Sequence, residues 1–150
     1  MLYQIETTVK HGVSKTIWVR RFKKEVKEAA PTFYTSADLL NFIGTLIPYD
    51  SETKKGNFKQ NGNTFYVKRG KRWVWFLKIV ALSDANALRS ADDVNCDTIV
   101  FDEYTTTPEK YARYRGNEVN DFCDMFFSAK RNHKVRCFFL GNNENVANPY

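Results

Sequence analysis

The chain has 150 residues, 43% of them apolar and 15% aromatic, which is the make-up of one folded domain and excludes a disordered segment. Its 23 Lys and Arg outnumber 17 Asp and Glu, and the resulting +6 charge and pI near 9.2 suit a polyanionic partner such as nucleic acid or nucleotide phosphates. Three cysteines without a Cys-x-x-Cys spacing (Cys96, Cys123, Cys137) and two distant histidines (His11, His133) exclude a disulfide framework and a zinc knuckle.

Residues 2–10 read as the tail of a helix, with Gly12 where a C-cap belongs. Lys15 to Phe22 reads as a strand, because Thr16, Ile17, Trp18 and Val19 are β-branched or aromatic. Lys23 to Ala30 is a short helix stopped by Pro31. Ser36 caps a second helix whose Leu39, Leu40, Ile43, Leu46 and Ile47 form one apolar face, ended by Pro48. Between residues 57 and 82 the turn dipeptides Asn61-Gly62 and Arg69-Gly70 separate runs such as Thr64 to Val67 and Trp73 to Leu82. That pattern predicts a β-hairpin or meander inserted between helical segments. Thr98-Ile99-Val100-Phe101 is a continuous apolar run, expected in the middle of a parallel sheet and flanked by the strands near 16–21 and 135–140. Asn117 to Ala129 has helical character, and Val135 to Leu140 reads as a second buried strand. No repeat or linker divides the chain, so residues 1–150 form one α/β domain with a mostly parallel central sheet. The longest apolar run, Val74 to Leu82, is interrupted by Lys78 and falls short of the roughly 20 residues a membrane helix needs. The N-terminus lacks a signal pattern. A soluble, reducing, intracellular setting without a membrane partner is expected.

Chemistry concentrates at three strand ends. Asp102 and Glu103 follow the apolar run, which places two carboxylates at the carboxyl end of a parallel strand, where open α/β sheets bind ligands. In a phosphate-hydrolysing site such an Asp holds a Mg²⁺ shell and such a Glu polarises water, the Walker B arrangement; a strand ending in solvated acids has the same sequence. Arg20 and Arg21 close the first strand and can contact phosphates, or pair with Glu25 or Glu28. Asn142, in Gly141-Asn142-Asn143, sits at the tip of the last strand and fits either a γ-phosphate contact or ordinary turn chemistry. Lys68, Arg69, Lys71 and Arg72, beside Trp73, suit phosphate contact with base stacking, or a solvated hairpin tip. No G-x-x-x-x-G-K-[ST] phosphate loop occurs; Gly12-Val13-Ser14-Lys15-Thr16 imitates its tail but leads into a strand rather than a helix.

Taken in order, Ile17-Trp18-Val19-Arg20-Arg21-Phe22-Lys23, Thr98-Ile99-Val100-Phe101-Asp102-Glu103-Tyr104 and Val135 to Asn142, with the closing Asn148-Pro149-Tyr150, resemble the DNA-packaging (encapsidation) ATPases of small tailed bacteriophages. The resemblance covers nearly the whole chain. It implies a three-layer P-loop-type core of the additional-strand, catalytic-glutamate class, with Mg²⁺ and ATP as cofactors. Asp102 would coordinate Mg²⁺ and Glu103 would be the catalytic base. Asn142 would sense nucleotide state, beside the nucleotide contacts read for Arg20 and Arg21 from their strand end. Arg89 would act across a subunit boundary, and Arg131, with Lys130 as rival, would be the arginine finger. Both arginines are therefore expected on the surface, away from Asp102 of their own subunit. The implied partners are double-stranded DNA, neighbouring copies in a homo-oligomeric ring and portal or prohead components, in the host cytoplasm. The family's phosphate loop would precede the first anchor strand by one helix, inside which this chain begins, so a truncated core with little or no ATPase activity of its own is expected. The alternative is a non-enzymatic module of the same fold that binds a partner protein or nucleic acid.

Overall fold

The computed structural model describes Glu6 and residues 15–32, 58–84, 96–103, 116–130 and 134–141. Among these residues, six strands and two helices are formed: β1 (Thr16–Arg20), α1 (Lys23–Thr32), β2 (Phe58–Asn61), β3 (Thr64–Arg69), β4 (Arg72–Ala81), β5 (Thr98–Asp102), α2 (Glu118–Lys130) and β6 (Arg136–Leu140). The strands make one sheet in the order β2-β3-β4-β1-β5-β6. β1 runs parallel to β4 and β5, and β5 runs parallel to β6; β2, β3 and β4 pair antiparallel.

The two helices cover opposite faces of the sheet. Val26 and Ala30 of α1 pack with Phe65, Val67, Leu77, Ile79 and Ala81, and Trp18 and Phe58 join them. Phe122, Met125 and Ala129 of α2 pack with Ile17, Val19, Val80, Leu82, Ile99 and Phe101. Strand alternation explains the division, since Trp18 faces one layer while Ile17 and Val19 face the other. The burial of Glu118, Phe122, Met125 and Ala129 at helical spacing marks the face that α2 turns to the sheet. In β5, Thr98 to Phe101 are all buried, and the strand lies between β1 and β6 as the apolar run predicts.

The meander of residues 58–81 extends the main sheet, because β4 pairs with both β3 and β1. Its turns sit one residue beyond the dipeptides expected from sequence. Gly62 and Gly70 take φ +59° and +56°, each as the first of two central residues, the position that a type II′ turn reserves for glycine. Asn63 then fastens the first turn to β4: its carbonyl accepts the Ile79 N–H at 2.9 Å and its amide donates to the Ile79 carbonyl. Register slips once. Phe65 lies opposite Leu77 but Tyr66 opposite Trp75, so Phe76 is an extra residue in β4, a β-bulge.

Two expectations need correction. Pro31 does not stop α1, which runs through it to Thr32. So near the helix end the ring removes a single hydrogen bond, and the neighbouring Ala30 carbonyl is taken by the Gln60 side-chain amide at 3.0 Å. Residues Val135 to Leu140 do form a strand, but not a buried one: Phe138, Phe139 and Leu140 are 48%, 40% and 42% exposed. β6 is paired along β5 only and is an edge among the described residues. At the start of α1, the Phe22 N–H donates to Glu25 Oε2 at 3.0 Å, half of a capping box. The expected helices at residues 2–10 and 36–48 lie outside the described residues.

No atom lies within 4 Å of a Cβ built on Gly62 or on Gly116, and of these two Gly62 alone has a positive φ. Gly62→Ala is expected to lower stability by about 1–2 kcal/mol through backbone strain alone. Gly116→Ala should be neutral or slightly stabilising, and urea denaturation of the two variants separates the effects.

Candidate functional site

The parallel register of β1 and β5 sets Thr16 beside Thr98 and Val19 beside Phe101, so the two strands end level with each other. Trp18 and Arg20 project from the same face of β1, and Asp102 projects from that face of β5. The Arg20 guanidinium meets Asp102 Oδ2 at 2.7 Å and Glu103 Oε2 at 3.1 Å. Trp18 Nε1 donates to the same Asp102 oxygen at 3.1 Å. Arg20 thus grips both carboxylates. Asp102 is mostly covered, whereas the Glu103 side chain is 63% exposed and faces outward. Arg20 Nε is buried without a hydrogen-bond partner, an unmet donor at the centre of a charged cluster.

Glu103 has φ +55°, the one left-handed non-glycine among the described residues, at a cost of about 1–2 kcal/mol. Arg21 supports it. Its Nη1 donates to the Glu103 carbonyl at 3.1 Å, and its Nε donates to the two oxygens of Glu118 at 3.0 and 2.9 Å. Arg21 and Glu118 are 3% and 1% exposed. Glu118 opens α2, where a carboxylate also meets the positive end of the helix dipole. The guanidinium lies 5.7 Å from the centre of the Phe101 ring, which stacks on Phe122 at 5.6 Å and 12°.

The structure therefore brings Arg20, Arg21, Asp102 and Glu103 together, with each arginine in a different role. Arg20 faces the carboxylates. Arg21 is spent on Glu118 and the Glu103 backbone rather than on Glu25 or Glu28. Trp18 and Glu118 were not singled out from sequence; Glu118 carries only the common signal of an acid in a first helical turn. Arg89, Arg131 and Asn142 lie outside the described residues. Lys68, Arg69, Lys71 and Arg72 gather at the β3–β4 turn, at the far end of the sheet from Asp102. β4 reaches the level of Arg20 with Ala81, so Arg72 lies nine residues away, about 30 Å along an extended strand.

Asp102 Oδ2 takes both described contacts, which leaves its second oxygen as a hard donor of the type Mg²⁺ prefers. No group of three or more His, Cys, Asp or Glu capable of holding a metal occurs among the described residues. One carboxylate fits Mg²⁺ that keeps most of its ligands as water and phosphate. Beside the site, a cavity of about 560 Å³ opens between α1, the Gly62-Asn63 turn and the end of β4, lined in part by Lys23, Lys27, Gln60 and Lys78. Lys23 there pairs with Asp84 at 2.8 Å.

Burial governs the Cys96 and Cys137 thiols. Burial pushes the Cys96 thiol up to about 12, and its sulfur donates to the Thr98 carbonyl at 2.9 Å. Burial also raises Cys137. Cys96 thus stays protonated throughout the neutral range, and alkylation at pH 8 should be far slower in the folded chain than in urea. Mass spectrometry of the labelled peptides checks this. Glu118→Gln should destabilise the fold by about 3 kcal/mol in chemical denaturation, because it leaves the buried Arg21 charge without its counter-ion.

Comparison with known proteins gives a consistent result. The profile of the family described as podovirus DNA encapsidation protein (Gp16) matches residues 1–150. The DNA packaging protein of Bacillus phage phi29 is 30% identical over 150 residues, covering 99% of this chain and 40% of that protein. The chain thus spans less than half the length of that relative. The crystal structure of the N-terminal domain of the DNA packaging ATPase from bacteriophage phi29 superposes with a TM-score of 0.70 at 30% identity, covering 99% of this chain and 68% of that one. A chain of the phi29 viral genome packaging motor assembly gives a TM-score of 0.68 at 28% identity, covering 99% of this chain and 40% of its own length.

Proposed function

The chain belongs to the podovirus DNA encapsidation protein (Gp16) family, and on that premise we propose that it is core material of a viral DNA-packaging motor, coupling ATP hydrolysis to movement of double-stranded DNA. The observation that carries this reading is the Asp102–Glu103 pair at the carboxyl end of a buried parallel strand, gripped by Arg20 from the adjacent strand. Ligands of open α/β sheets bind at such ends.

In this reading the fold is a P-loop-type core. Asp102, fixed by Trp18 and Arg20, would hold Mg²⁺ through its second oxygen, as a Walker B residue does. When bound, Mg²⁺ and ATP supply the transferable phosphoryl group and partial neutralisation of its charge. Glu103 is the general base, its carboxylate outward and its backbone fixed by Arg21. Arg20 holds Glu103 in an ion pair at 3.1 Å, and Glu103 must leave that pair to accept a proton from water. The Nη1 of Arg20 is then released for a phosphate oxygen while its Nη2 keeps Asp102. Asn142 is assigned to sensing nucleotide state, and Arg131, or Lys130, and Arg89 to acting on a neighbouring subunit's site. A homo-oligomeric ring seated on portal or prohead components is the corresponding assembly. Support for it comes from the likeness to a chain of the phi29 packaging motor. Lys68, Arg69, Lys71 and Arg72 are the proposed DNA contacts. Host cytoplasm is the proposed location; no helix among the described residues is long and apolar enough to cross a membrane.

No G-x-x-x-x-G-K-[ST] occurs in the 150 residues, and the backbone amides and lysine of such a loop supply most of the phosphate positioning. The chain alone is expected to hydrolyse ATP slowly or not at all. The decisive measurement is Mg-ATP affinity with and without an added phosphate-loop peptide, followed through the fluorescence of Trp18, which touches Asp102. The peptide should tighten binding, Asp102→Asn should abolish its Mg²⁺ dependence, and Glu103→Gln should leave affinity unchanged. Turnover near 1 s⁻¹, a typical enzyme rate, by the unaided chain and lost in Glu103→Gln would show that the phosphates bind elsewhere. Nucleotide binding in neither condition would favour a non-enzymatic module of the same fold.

A further inference from the structure

We propose that the face of the β2–β3–β4 meander carrying Lys59, Tyr66, Lys68 and Trp73 is a docking surface for the phosphodiester backbone of double-stranded DNA, with Lys59 as a fixed phosphate contact. The proposal rests on the packaging reading only for its choice of duplex DNA, and the surface is separate from the Asp102 site.

Charge is the first argument. From Phe58 to Leu82 the sequence has six cations, Lys59, Lys68, Arg69, Lys71, Arg72 and Lys78, and no carboxylate. Lys59 and Lys68 lie on the face of Trp73, while Arg69 and Arg72, paired beside the Gly70 turn, project from the opposite side.

Geometry supplies the second argument. Lys59 lies opposite Tyr66, Tyr66 opposite Trp75, and Lys68 opposite Trp73, so all five share one face. The Lys59 ammonium rests over two rings, 4.5 Å from the centre of Trp73 and 5.2 Å from that of Tyr66. A free lysine loses much rotamer freedom when it binds a phosphate; one already held by two rings loses less. The α2 helix packs on the part of this face formed by β1, β5 and the end of β4, and α1 packs on the other face. Lys59 and Trp73 are exposed.

The same geometry selects the mode of contact. An ammonium covering the rings occupies the surface on which an unpaired base would stack, so this face meets phosphates rather than bases. A backbone contact of that kind reads no sequence and is available on an intact duplex.

The test is fluorescence anisotropy of the full chain with a labelled mixed-sequence duplex of about 30 base pairs, without nucleotide, between about 50 and 200 mM salt. Lys59→Met should weaken binding about tenfold and reduce the salt slope by about 0.9, the loss of one phosphate contact. Trp73→Leu should weaken binding severalfold with the slope unchanged, because the charge remains but is no longer held. Lys24→Met, at an exposed position of α1, removes the same charge from elsewhere and should change affinity by less than about twofold. Circular dichroism confirms that each variant is folded. Equal losses in the Lys59 and Lys24 variants, or an unchanged slope in Lys59→Met, would overturn the proposal. So would a single strand that binds more tightly than the duplex and loses most affinity in Trp73→Leu, which would mark base stacking instead. Absence of ATP hydrolysis bears on the motor reading and leaves these binding outcomes intact.

Discussion

A guanidinium removed from water must find acceptors for its donors, and at Arg21 those acceptors join three elements. The residue leaves β1, its Nη1 holds the carbonyl of Glu103, the residue after β5, and its Nε is clasped by the first residue of α2. Breaking such a pair strands a charge in a low-dielectric interior, at a cost of about 3–5 kcal/mol. That penalty fixes where α2 begins relative to the sheet. It also holds Glu103 in a backbone conformation that an L-residue would otherwise leave. The direction of the Glu103 carboxylate, and its reach to Arg20, follow from this buried contact.

The sheet separates two kinds of charge. Its carboxyl end at β1 and β5 gathers two acids around one arginine, while the β3–β4 hairpin, whose turn lies about 30 Å away, carries cations and no acid of its own between residues 64 and 81. Among the described elements β4 links the two ends, pairing with β1 over Leu77 to Ala81 beside the acids and with β3 over Arg72 to Lys78 toward the cations, so that only Leu77 and Lys78 are held on both sides.

Much of this was legible in the sequence where one local rule decides the outcome. Thr98 and three apolar residues before Asp102 specify a strand covered on both faces, and glycines between β-branched runs specify tight turns. Adjacent arginines illustrate the limit. Arg20 and Arg21 read as one basic unit, yet neighbouring side chains of an extended segment point to opposite sides, so one reaches the acids and the other the core. Glu118 was hidden for a related reason: its burial depends on a residue 97 positions away. β6 was misread because an apolar run reports what a strand can bury, whereas exposure depends on what lies beside it. Register was also beyond reach, since nothing in Trp73 to Leu77 announces which residue is left unopposed.

That unopposed residue, Phe76, acts as a phase shifter. Downstream of it, Leu77, Ile79 and Ala81 face the α1 side; without the bulge Trp75 and Trp73 would share that side with them. The extra residue inverts the alternation, so the two indoles join Lys59 and Lys68 while Val74 turns toward the core. Deleting Phe76 would keep Tyr66 opposite Trp75 and Phe65 opposite Leu77 and so preserve both surfaces, whereas pairing Phe76 in regular register would exchange them. The chemical identity of each surface is thus set by which residue is left unopposed as much as by the kinds of residue present.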